Sequence, residues 1–103
     1  MKRVIDRMVY NTETAELVYE FSNGLSFSDF NALREKLYLT KKGNWFLHYH
    51  GGANTKYAEN SGQWSGEGMG IVPFGYEEAL EWLEKHEATE MIEKHFGDEL
   101  EEA

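Results

Sequence analysis

The spacing of apolar residues changes between the two ends of this 103-residue chain. Residues 16–21 and 45–50 have the two-residue period of strands with one buried face. Beyond residue 75, apolar residues instead recur at three- and four-residue spacing, as on one side of a helix. These residues are Tyr76, Ala79, Leu80 and Leu83. Strands followed by helices predict an α+β domain, with an antiparallel sheet of about five strands and one or two acidic amphipathic helices packed on it.

Length and composition favour a single domain over residues 1–103. The chain is 41% hydrophobic and 15% aromatic, enough for one core, and it has no cysteine for a disulfide or a thiolate site. No apolar run reaches signal-peptide or membrane-spanning length, so we expect a soluble, cytoplasmic protein. The expected parts are strands at 1–50, a Gly/Asn/Ser-rich loop at 51–70, a short strand and helices at 71–97, and an acidic tail at 98–103.

Two early segments predict the first strands. Residues 16–21 place Leu17, Tyr19 and Phe21 on one face, and residues 8–10 are predicted to pair with them. The intervening NTET is rich in side chains that hydrogen-bond to their own backbone, as turns require.

The sequence LREKLYLTKKGNWFLHYH predicts a β-hairpin, because two apolar and aromatic runs flank the turn residues 41–44. In its second strand one face carries Trp45, Leu47 and Tyr49, and the other carries Phe46, His48 and His50. Residues 28–37 fit either a helix capped by Ser28 or a loop followed by a strand, and we favour the loop and strand.

Residues 51–70 are rich in glycine, asparagine and serine, and Tyr57 and Trp64 stand alone among them. An aromatic side chain on an adaptable polar loop is typical of a protein-recognition anchor. The alternative is that both rings fold back as a lid on the sheet. After the loop, residues 70–74 predict a short strand, and Pro73 places it at a sheet edge or at its own end.

The C-terminal helices carry most of the acidic residues. Glu77 and Glu78 lie in the first turn of the first helix, where the helix dipole favours them, and Thr89 can cap a second helix closed by Gly97. Residues 1–56 have a net charge of +2, and residues 57–103 have a net charge of −11. Such an acidic surface repels nucleic acid and membranes and attracts basic partners, although acidity can also serve solubility alone.

No catalytic, metal or cofactor motif survives comparison with its required context. His48 and His50 place two imidazoles on one strand face, but two ligands do not make a metal site. The glycines at 66, 68 and 70 do not match a dinucleotide fingerprint or a P-loop. Ser61 and Ser65 lack the strand–turn–helix setting of a nucleophile.

Four segments follow one another over roughly residues 8–97: YNTETAELVYEFSNG, SDFNALREKLYLTKKGNWFL, GGANTKYAE and EEALEWLEKH. Taken together they resemble a family of small acidic accessory proteins of bacterial prophages, plasmids and integrative elements, found in bacterial hosts. HYHGG departs from the family's glycine and acid before the paired glycines, so neither His48 nor His50 resembles an invariant ligand. The resemblance implies a mobile-element context, in which small acidic inhibitors of host defence such as anti-CRISPR proteins are frequent.

The favoured interpretation is a non-enzymatic protein, monomeric or homodimeric, that docks on the basic nucleic-acid-binding groove of a protein such as a CRISPR effector by imitating phosphates. It binds no cofactor, metal, nucleic acid or membrane in this interpretation. The predicted partner-binding residues are Tyr57, Trp64, Glu77, Glu78, Glu81, Glu84 and Glu87. The alternative is a ligand-binding module or small enzyme with a pocket under the glycine-rich loop, using His48 and His50.

Overall fold

The computed structural model describes residues 1–61 and 64–103, with the backbone alone at residues 60, 61, 64 and 65. The described strands are β1 (Lys2–Ile5), β2 (Met8–Asn11), β3 (Glu16–Ser22), β4 (Leu33–Leu39), β5 (Trp45–Gly51), β6 (Glu59–Ser61), β7 (Trp64–Gly66) and β8 (Gly68–Phe74). The helices are α1 (Tyr76–Lys85) and α2 (Thr89–Phe96), followed by a 3-10 turn at Gly97–Glu99. The predicted α+β class is therefore confirmed.

The main sheet is antiparallel, in the order β3-β4-β5-β8, and has four strands rather than about five. The predicted hairpin is confirmed as β4 and β5, which pair from Leu39 opposite Trp45 to Leu33 opposite Gly51. Gly43 lies in the connecting turn with φ 88°, a conformation that glycine adopts without strain. The favoured loop and strand are confirmed as well, since β4 begins at Leu33. Pro73 lies near the end of the edge strand β8, as predicted.

The N-terminal strands differ from the prediction. Residues 8–10 were expected to pair with 16–21, but β2 pairs with β1 in a separate hairpin. Asp6 and Arg7 both have positive φ, 51° and 67°, which is the geometry of a two-residue hairpin turn. A short tight turn makes the local pairing geometrically direct, and it leaves β3 as an edge of the main sheet.

The predicted face of β3 is also partly wrong. The pairing of β3 with β4 shifts register between Leu17 and Tyr19, which is a β-bulge. Because a bulge inserts one extra residue, Val18 turns toward the core and is 7% exposed, whereas Leu17 is 46% exposed.

Both helices pack on one face of the main sheet, here called the helix face. Its buried core consists of Val18, Leu37, Trp45, Leu47, Ala79, Trp82, Leu83, Ala88 and Phe96. Fully burying one large apolar side chain stabilises a fold by about 1.5–3 kcal/mol, so packing holds these short helices in place. Thr89 is the first residue of α2 and does not cap it; Ala88 occupies the cap position.

The other side of the sheet, here called the open face, is covered at one end only. The β1–β2 hairpin packs there through Tyr10, which contacts Phe46 edge-on at 5.5 Å between ring centroids. Tyr38 and Ile71 complete this second cluster. The end of the open face that carries His48 and His50 lies beyond the cluster. Neither helix in the described part of the chain has the length and apolar character needed to cross a bilayer.

Candidate functional site

All five glutamates predicted to bind a partner are exposed. Glu77, Glu78, Glu81 and Glu84 lie on α1, and Glu87 follows it with φ 55° in the turn to α2. Glu78 accepts a hydrogen bond of 2.8 Å from the backbone N–H of Gly75, which fixes the start of the helix. Among the described residues, none of the five forms an ion pair with a lysine or arginine. Their charges therefore face solvent without internal neutralisation.

The negative charge of the molecule is concentrated in residues 76–103, here called the helical layer. Residues 76–103 contain eleven acidic residues and two lysines, a net charge of −9, which equals that of the whole chain. An α-helix of ten residues is about 15 Å long, so the four glutamates of α1 give one charge per about 4 Å. One DNA strand carries a charge every ~3.4 Å. The two charge densities are similar.

Tyr57 packs back onto the sheet, in the lid arrangement that the sequence left open. Its ring stacks on Tyr49 with centroids 4.1 Å apart, and its hydroxyl donates a hydrogen bond to Glu35. The side chain is half-buried rather than projecting, while its role toward a partner stays a prediction. Trp64 belongs to β7 by its backbone, and its side chain lies outside the described part of the structure.

Glycines make room for this lid. A Cβ at position 68 would lie 1.7 Å from the backbone carbonyl oxygen of Tyr57, and one at position 70 would lie 2.5 Å from the Tyr49 hydroxyl. At Gly66 the nearest such contact is 4.0 Å away. Alternate glycines on β8 thus let the Tyr57 backbone and the Tyr49 ring lie against the helix face of this strand. The glycine pattern serves packing at these two positions.

Glu35 is a buried carboxylate that sequence reasoning did not single out. It is 1% exposed on the helix face, where Trp82 Nε1 donates to it at 2.9 Å and Lys56 Nζ lies 3.0 Å away. Burial acts to raise the pKa of Glu35, but the hydrogen bonds from Tyr57, Trp82 and Lys56 together hold the pKa below its usual value. Its position in the sequence did indicate burial. Glu35 alternates with Leu33, Leu37 and Leu39 and so lies on the core side of β4.

Both carboxylate oxygens of Glu35 accept a hydrogen bond, Oε2 from Tyr57 and Oε1 from Trp82. Burial, followed by the hydrogen bond to Glu35, raises the pKa of Tyr57 well above its usual range, so the phenol stays a donor. Burial lowers the pKa of His86, whose Nε2 lies 3.7 Å from Glu35. This arrangement fastens the lid segment to α1 and the sheet.

His48 and His50 line a cleft of about 450 Å³ on the open face. The predicted pocket was expected under the glycine-rich loop, but Tyr57 of that loop packs on the helix face, opposite the cleft. The cleft instead meets the end of that loop at Glu67 and Met69. Its remaining side chains come from β3, the following loop and β4, and are Glu20, Phe27, Arg34 and Lys36.

Strand register places the basic groups of the cleft together. Arg34 pairs with His50 and Lys36 pairs with His48 across β4 and β5. The Arg34 guanidinium lies 4.1 Å from the centre of the Phe27 ring and donates to the carbonyl of Leu25 at 3.2 Å. Burial, together with Lys36, lowers the pKa of His48. Sequence reasoning missed Arg34 and Phe27 here, because their proximity depends on the fold of residues 25–30.

His50 and Glu67 form the one hydrogen-bonded pair of side chains among the residues that line the cleft in the described part of the chain. His50 Nε2 is 2.9 Å from a carboxylate oxygen of Glu67, which orients the imidazole. Within the described residues, no three histidine or acidic side chains form a group that could hold a metal ion. Comparisons with protein-family models, curated proteins and solved structures returned no match.

Proposed function

We propose that this chain is a non-enzymatic binding protein of a phage or mobile element that docks its acidic helical layer on a basic, nucleic-acid-binding groove of a host protein. A CRISPR effector is the partner class that fits the resemblance described above. The observation that carries the proposal is the row of exposed glutamates on α1 and after it, none of which forms an ion pair with a lysine or arginine of the described chain. A groove that normally binds phosphates offers lysines and arginines to such a surface.

Docking by this surface requires little rearrangement of the protein. One side of α1 is buried in the core through Ala79, Trp82 and Leu83. The glutamates therefore lie on the exposed side of a helix that is fixed by packing. A rigid charged surface loses less conformational entropy on binding than a flexible tail does. We therefore expect the helix glutamates to contribute more than the acidic residues at 98–103.

The test uses a plasmid-interference assay, in which a CRISPR effector destroys a targeted plasmid unless it is inhibited. The wild-type protein is expected to protect the plasmid, and the triple variant Glu77→Gln/Glu81→Gln/Glu84→Gln is expected to lose protection. A matched control, Asp6→Asn/Glu13→Gln/Glu59→Gln, changes the same charge at exposed positions outside the helices. Equal behaviour of the two variants would argue against docking through α1.

A second candidate function is ligand binding in the cleft lined by His48 and His50. It is favoured by the volume of about 450 Å³, which lies within the ~300–1,000 Å³ usual for small-molecule sites. A ligand that binds the folded state raises the melting temperature by mass action, so thermal-shift screening tests it. Loss of a ligand's effect in a His48→Gln variant would locate the ligand in the cleft.

A further inference from the structure

The cleft on the open face combines nitrogen donors, two of them from the cationic side chains of Arg34 and Lys36, with exposed apolar surface. Lys36 and His48 face each other across β4 and β5, and Arg34 and His50 form the next pair along. Directly opposite residues of antiparallel strands have Cα atoms about 4.5–5.5 Å apart, so the four groups occupy a compact area. Phe27 is 62% exposed and Met69 is 50% exposed at the same cleft.

Several nitrogen atoms in this area have no partner within the described residues. Arg34 Nε and His48 Nε2 are buried without a hydrogen bond. Lys36 forms neither a hydrogen bond nor an ion pair in the described part of the chain. A buried polar atom without a hydrogen bond is destabilising, so an oxygen-bearing ligand that supplies the bond here gains more than one on an open surface.

The two carboxylates of the cleft do not neutralise these groups. Glu67 is hydrogen-bonded to His50 at 2.9 Å, and Glu20 is an exposed residue of β3 opposite Lys36 in the register. Phe27 is held over the cleft by its contacts with Arg34 and with the His50 ring, 5.0 Å away and edge-on. The apolar ring of Phe27 therefore lies in the same cleft as Lys36 and His48.

We infer that the cleft binds a small organic anion, with its phosphate or carboxylate at Lys36 and His48 and an aromatic body against Phe27 and Met69. This inference rests on the second candidate function and names its ligand class. It is independent of the acidic helices, because the cleft lies on the opposite face of the sheet. The aromatic body supplies apolar area, and the charged oxygens supply orientation.

Four probes separate the contributions: phenyl phosphate, benzoate, inorganic phosphate and benzyl alcohol. We expect phenyl phosphate or benzoate to bind at one site and to bind several-fold more tightly than inorganic phosphate and benzyl alcohol. NMR titration should show shifts at the His48 ring and the Met69 methyl group. The tighter of the two aromatic anions identifies whether the natural ligand is a phosphate or a carboxylate.

Matched lysine variants test the position of the anion. Lys36→Gln should weaken binding of the tighter probe about tenfold or more, because it removes a charge-assisted contact. Lys42→Gln, in the exposed β4–β5 turn, makes the same charge change outside the cleft and should leave affinity unchanged. Both positions are solvent-accessible, so thermal unfolding of the two variants is expected to match that of the wild type.

Three results would overturn the inference. Equal weakening by Lys36→Gln and Lys42→Gln would show diffuse attraction to positive charge. Benzyl alcohol binding in the cleft as tightly as the aromatic anions would show a ligand site without anion recognition, leaving the second candidate function intact. If none of the probes shifts His48 or Met69, the inferred anion site does not exist.

Discussion

The two faces of the sheet hold their charged groups in different ways. On the helix face, the carboxylate of Glu35 is met by Tyr57, Trp82 and Lys56, and the hydrogen bonds keep it ionised. On the open face, Lys36 lies in a cleft without an ion-pair partner among the described residues. Buried nitrogens without a hydrogen bond in the described part of the chain occur on both faces, at Arg34 and His48 on the open face and at His86 and His95 on the helix face. A charge that is fully partnered fastens a structure together, whereas a charge without a partner is available to a ligand.

The largest expected effect comes from Glu35→Ala. This change leaves the Trp82 N–H, the Tyr57 hydroxyl and Lys56 without their shared acceptor, and breaking a buried pair costs about 3 kcal/mol or more. Urea denaturation should show a loss of that size in the free energy of unfolding. Glu20→Ala, an exposed strand glutamate on the open face, is the control and should change stability by less than about 0.5 kcal/mol. Similar losses in both variants would remove the contrast between the faces.

Gly68→Ala should have the next largest effect. The added Cβ would meet the Tyr57 carbonyl at 1.7 Å, so the lid segment must move away from β8. Overpacking of this kind costs about 1–3 kcal/mol. Gly66→Ala, two residues earlier with 4.0 Å of clearance, is the matched control and is expected to be nearly neutral. Hydrogen exchange should become faster in residues 52–58 of the Gly68 variant only. Unchanged exchange there would contradict the packing role of the glycine.

Tyr57→Phe removes a single hydrogen bond to Glu35 and keeps the stacked ring. Hydrogen bonds to charged groups contribute about 1.5–3 kcal/mol, so we expect a loss near the lower end of that range. Tyr49→Phe is the control, because within the described residues the Tyr49 hydroxyl forms no hydrogen bond. Denaturant titration of both variants measures the difference, and equal stabilities would show that the Glu35 contact adds nothing.

The smallest effect concerns pH and the open face. His48 has a lowered pKa, so between its unfolded and folded values the unfolded chain binds a proton that the folded chain does not. The contribution of His48 to the free energy of unfolding is therefore fully present above about pH 6.5, the usual pKa of histidine, and decreases as the pH falls below it. Burial is the main cause of this lowered pKa, and the neighbouring Lys36, the N-terminal amine and His50 act in the same direction.

We therefore expect the free energy of unfolding to decrease from about pH 7.5 to about pH 5.5, and to decrease less in His48→Gln. His86 on the helix face acts with the same sign, so part of the decrease remains in that variant. Denaturation curves at several pH values provide the measurement. A pH dependence identical in both proteins would show that His48 is not held in its neutral form by the fold.

Sequence reasoning succeeded where structure is decided locally. The β4–β5 hairpin follows from alternation and a glycine-containing turn, and both helices follow from their apolar spacing. The β1–β2 hairpin is also local, but its turn residues Asp6 and Arg7 are not the usual Asn-Gly or Asp-Gly, so the sequence did not indicate it. The other failures come from distant contacts, since the bulge beside Leu17 depends on the fit of β3 against β4. Glu35 meets partners 22 and 47 residues further along the chain, so its burial required the assembled fold.

The central claim, docking through the acidic helical layer, is tested most directly by calorimetric titration of the protein against a guide-loaded CRISPR effector over a series of salt concentrations. We expect the affinity to fall steeply as the salt concentration rises. The variant Glu77→Gln/Glu81→Gln/Glu84→Gln should bind more weakly and with a shallower salt dependence. An affinity that does not change with salt, or a triple variant that binds as tightly as the wild type, would contradict the claim.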